Sequence, residues 1–131
     1  MELSKQVVSL ELARKLKELG VKQESLFCWN DGKLGTWDEP TRFGNPELYA
    51  AFTVAELGEM LPKSLKYKFS DIGHRDADLH TGKILGGGEG WYLQYTDRPN
   101  NYVDCAATAP TEADTRAKML IYLVENELVI L

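Results

Sequence analysis

The sequence predicts an α+β fold: an antiparallel sheet of four to six strands with two or three helices packed on one face. Three observations predict it. Apolar residues recur at helical spacing in three separate stretches. An Asp-Gly pair lies between two aromatic-rich runs, a strong hairpin signal. Apolar and polar residues alternate around Leu65–Phe69 and Trp91–Tyr95, the period of a half-buried strand. In order the elements read helix, hairpin, helix, strand, hairpin, helix, which fits one domain over residues 1–131.

The first helix is predicted over Leu10–Leu19. Ser9 is placed to cap it, Leu12, Leu16 and Leu19 form its apolar stripe, and Gly20 supplies a left-handed end. Val21 can then fold back onto the stripe. Glu11 and Lys15 are spaced i,i+4 in the favourable order. Next, Leu26–Trp29 and Leu34–Trp37 flank Asn30-Asp31-Gly32-Lys33 as a hairpin. Asp38–Glu47 holds two prolines and a glycine and reads as a loop.

The tract Phe52–Pro62 is read most fully. Thr53 is an N-cap and Glu56, three residues on, completes a capping box; Phe52 and Leu57 are placed as a hydrophobic staple. Val54, Leu57, Met60 and Leu61 line one face, and Pro62 stops the helix. Leu65, Tyr67 and Phe69 mark a strand. Residues 71–90, with both histidines and six glycines, read as an irregular, exposed loop. Trp91–Tyr95 and Tyr102–Ala106 form a second hairpin around the turn at 97–101. The last helix is capped by Thr111 with Asp114 three on. Its wide apolar face is Ala113, Ala117, Leu120, Ile121, Val124 and Leu128, Asn126 ends it, and the terminal Leu-Val-Ile-Leu docks on the core.

Composition limits the function. With 20 acidic and 15 basic residues the net charge is -5, so no global field draws phosphates or anionic lipid. No run approaches the ~20 apolar residues of a membrane span, and the first ten residues lack the pattern of a signal peptide. Cys28 and Cys105 are the two cysteines, each in a strand-like run, and read as reduced core thiols. The expected location is the cytoplasm, with no cofactor.

Three stretches of the chain carry chemical possibilities. His74, Asp76, Asp78 and His80 stand at alternate positions, and an extended segment projects such positions to one side, which could suit zinc, manganese or iron. A calcium loop is excluded because Thr81 occupies the glycine position. Gly86–Gly90 lacks the lysine and the following helix of a phosphate loop and reads as a hinge. Segment 9–29 echoes a helix-turn-helix, with Gly20-Val21 as the turn. Ala13 sits too far from that glycine, and the candidate second helix carries only Lys22 and Gln23 ahead of aromatic residues. Aromatic residues are dense on the two hairpins (Trp29, Trp37, Trp91, Tyr92, Tyr95, Tyr102), more than one sheet face buries, so part of them forms a contact surface.

Three blocks, Ser9–Phe27, Tyr49–Pro62 and Thr111–Asn126, together resemble short uncharacterised proteins encoded in bacteriophages, prophages and other mobile regions of bacterial genomes. All three are the fold-building helices with their flanks, so the resemblance implies a phage-type accessory protein and brings no catalytic or binding residue. The sequence therefore leads to a non-catalytic protein working through contacts with a protein partner. Its alternatives are a DNA-binding regulator using segment 9–29 and a metal-dependent enzyme using residues 74–80.

Overall fold

The computed structural model describes residues 2–36, 48–69, 73–83, 90–97 and 102–129; within these, the side chains of 65–69, 73–78, 80, 83, 97 and 102–105 are left aside. The architecture is α+β. The helices among the described residues are α1 (Leu3–Gln6), α2 (Leu10–Glu18), α3 (Val54–Met60) and α4 (Glu112–Glu125). The strands are β1 (Phe27–Asn30), β2 (Lys33–Thr36), β3 (Leu48–Ala50), β4 (Ser64–Phe69), β5 (Gly73–Lys83), β6 (Trp91–Asp97) and β7 (Tyr102–Ala109). They divide between two antiparallel sheets, β2-β1-β3 and β4-β5-β6-β7, where the sequence reading had expected one.

Helix α2 starts and ends where its sequence says. Its close is a Schellman motif: Gly20 takes φ 89°, its N–H donates to the Lys17 carbonyl, and the Val21 N–H donates to that of Leu16. Val21 is buried as expected, alongside Ala13 and Leu16, while Leu12 and Leu19 are half-buried. Ser9 departs from expectation. Its side chain makes no cap bond, and its backbone N–H is taken by Asp114 Oδ1 at 2.7 Å.

The first hairpin turns at Asp31-Gly32, both with positive φ (50° and 79°), the geometry that matches strand twist. Strand β1 therefore begins at Phe27, and residues 21–26 hold no helix. Segment 9–29 is one helix followed by extended chain, which corrects the helix-turn-helix reading. The physical reason is local: the Asp-Gly turn needs an extended partner on each side. Trp37 and the 38–47 loop lie outside the described residues. Strand β3 had gone unread; the Lys17 ammonium donates to the Leu48 carbonyl and the Gln23 amide oxygen accepts from the Ala50 N–H, closing its outer edge.

The loop expected over 71–90 is corrected too. Residues 73–83 form an 11-residue strand paired on both sides, with β4 (Lys68 opposite His74, Lys66 opposite Asp76) and with β6 (Asp78 opposite Thr96, His80 opposite Gln94). Its composition, rich in Asp and Gly, argues for a loop; two neighbouring ladders override it. Residues 70–72 and 84–89, including most of the glycine run, lie outside the described residues. Strand β7 runs to Ala109, three residues past its expected end.

One cluster of buried residues joins the parts: Leu16 of α2, Ala50 of β3, Phe52 and Leu57 around α3, Leu93 and Tyr95 of β6, and Leu120 and Leu123 of α4. Tyr95 is buried with its hydroxyl donating to the Pro62 carbonyl at 2.6 Å, so the burial of this phenol leaves no unmet donor. Helix α4 buries more than its predicted face, adding Thr115, Met119 and Leu123. Thr115 is tolerated there because its hydroxyl donates to the Thr111 carbonyl one turn back, at 2.7 Å. Of the terminal run expected to dock, Leu128 and Val129 pack on the core, and Ile130 and Leu131 lie outside the described residues. Among the described residues no helix is long and apolar enough to cross a membrane.

Candidate functional site

Where α3 and α4 begin, their first turns lie side by side beneath α1. Each start is fixed by a threonine. Thr53 Oγ1 accepts from the Glu56 N–H at 3.1 Å and the Glu56 carboxylate returns to the Thr53 N–H at 2.9 Å, the capping box the sequence predicts. Thr111 Oγ1 accepts from the Asp114 N–H at 3.2 Å. Above them the N-terminal segment is held by the Val8 N–H, which donates to the Phe52 carbonyl, and by the Trp29 indole, which donates to the Val8 carbonyl.

These elements enclose an open hollow of about 550 Å³ lined by Gln6, Thr53, Val54, Ala55, Glu112 and Arg116. A smaller recess of about 120 Å³ adjoins it, sharing Val54 and Glu112 and adding Lys5, Trp91, Pro110 and Thr111. The lining is mostly apolar, with Lys5 and Gln6 exposed at its rim. A hollow of this size with a few placed polar groups is the usual form of a small binding site.

Arg116 is the central polar group. Its guanidinium donates to Glu112 Oε1 at 2.9 Å, one helical turn back, and to the Val54 carbonyl at 3.4 Å. Its Nε is buried without a hydrogen-bond partner. The plane lies against Gly58 of α3, where any Cβ would overlap the guanidinium. A glycine in the middle of a seven-residue helix costs about 1 kcal/mol against alanine; here the far end of the flexible Arg116 side chain occupies the space a Cβ would take. With Glu112 beside it, the charge of Arg116 is balanced. That suits it to orient a partner's polar group and leaves no strong anion trap.

The sequence-predicted candidates sit elsewhere. His74, Asp76, Asp78 and His80 occupy alternate positions of β5, so the backbone keeps the periodicity that suggested a metal site; their side chains lie outside the described residues. Among the described residues no group of three or more His, Cys, Asp or Glu could hold a metal ion. Cys28 is buried, and its Sγ donates to the Thr36 carbonyl at 3.5 Å; the Cys105 side chain lies outside the description. Of the expected aromatic surface, Tyr95 is core, Trp29, Trp91 and Tyr92 are half-buried, and Trp37 and the Tyr102 side chain lie outside the described residues. On the α2 side, Arg14 and Lys17 approach the Tyr49 ring at 5.6 and 5.1 Å from its centroid, cation–π contacts that hold α2 on β3.

Sequence reasoning assigned Trp91 to the hairpins and passed over Arg116 and Gly58. The available signal was Gly58 itself, an isolated glycine inside a capped helix where alanine would be about 1 kcal/mol better. No family model, no curated protein and no solved structure matches this chain.

Proposed function

We propose that this is a non-catalytic accessory protein, of phage or mobile-element type, that works by contact with a protein partner through the hollow between α1, α3 and α4. The observation that carries the reading is a half-buried Trp91 in the recess that adjoins an Arg116 bonded to Glu112 and to the Val54 carbonyl. Trp and Arg dominate the energetics of protein interfaces when they are already ordered around a dry depression. Here both are ordered before any partner arrives, so little side-chain freedom is lost on binding. Val54 and Pro110 give the depression an apolar floor, and Lys5, Gln6 and Glu112 give it a polar rim, the usual division of a contact surface.

Ala55→Arg tests this directly. Ala55 is exposed at the second position of α3, where arginine is a good helix former, so the fold is kept while the hollow is filled. Crosslinking and capture from cells of the source organism should recover a protein with the original chain and lose it, by tenfold or more, with Ala55→Arg. Glu11→Lys, on the exposed face of α2, should leave recovery unchanged. Equal recovery by both variants would place the contact away from the hollow and sink the proposal.

A further inference from the structure

We draw no further inference here: the strongest candidate, the row of alternate positions His74, Asp76, Asp78 and His80 on β5 with the buried and unbonded Thr96 hydroxyl at the register position opposite Asp78, carries nothing because the side chains of those four residues lie outside the described residues.

Discussion

Helices α3 and α4 begin alike and are secured by different means. Each has a threonine N-cap and an acidic residue at the third helical position. Glu56 is long enough to serve three donors: the Thr53 N–H at 2.9 Å, the Ser25 hydroxyl at 2.8 Å and the Leu26 N–H at 3.2 Å. Asp114, one methylene shorter, serves the Ser9 N–H at 2.7 Å instead. In both helices the capping acid reaches a backbone N–H far away in sequence. A motif read as a local start signal is therefore also a tertiary clamp. Past the first turn the two diverge. Helix α3 has seven residues and buries Leu57; α4 has 14 and buries seven of them, including Leu120. The short helix leans on its clamp, the long one on its burial.

Core truncations should have the largest effect. Leu57→Ala and Leu120→Ala should each lower stability in urea by ~2–5 kcal/mol, because both are fully buried in the shared cluster. A loss under about 1 kcal/mol at either would mean that its helix is not packed as described. The clamps come next and test the contrast itself. Glu56→Ala removes three hydrogen bonds and should cost about 2–3 kcal/mol, while Asp114→Ala, which removes one, should cost about 1–2 kcal/mol. Equal losses would break the distinction between the two helices.

The caps alone are smaller. Thr53→Ala and Thr111→Ala should each cost about 1 kcal/mol, and any excess at Thr53 would sharpen the view that α3 depends on its start. The smallest effect should be a gain, at the far end of α4. There the Leu128 N–H donates to the Leu123 carbonyl and the Glu127 N–H to that of Val124, the pattern seen after α2. Glu127 sits at φ 57° where α2 uses Gly20. Glu127→Gly should raise stability by about 0.5–1 kcal/mol by relieving that left-handed residue; a loss in thermal or urea unfolding would assign the Glu127 side chain a role of its own.

What was legible in the sequence was whatever is encoded within about five residues. Thr53 with Glu56, Gly20 with Val21, and Asp31 with Gly32 each specify their own geometry, and all three stand as read. What escaped reading is set by distant partners. Strand β5 is extended because β4 and β6 flank it, not because Gly73–Lys83 favours extension. Strand β3 is three residues long and owes its pairing to β1. The split into two sheets follows from which hairpins meet, and no local pattern reports that. The same holds for the hollow. Its residues come from positions 5 to 116, and only Gly58, a glycine where a helix former belongs, marks it from within the sequence.

The bond between Ser9 and Asp114 spans 105 positions, and a chain grows from its N-terminus at about 5–20 residues per second. Val7 and Val8, both buried in the finished protein, therefore exist for ~5–20 s before the residue that fastens Ser9 beside them has been made. During that interval the Phe52 carbonyl and the Trp29 indole are the partners on hand to hold the segment. Birth order and fastening order run in opposite directions here. Ser9, made early, is among the last to be tied down.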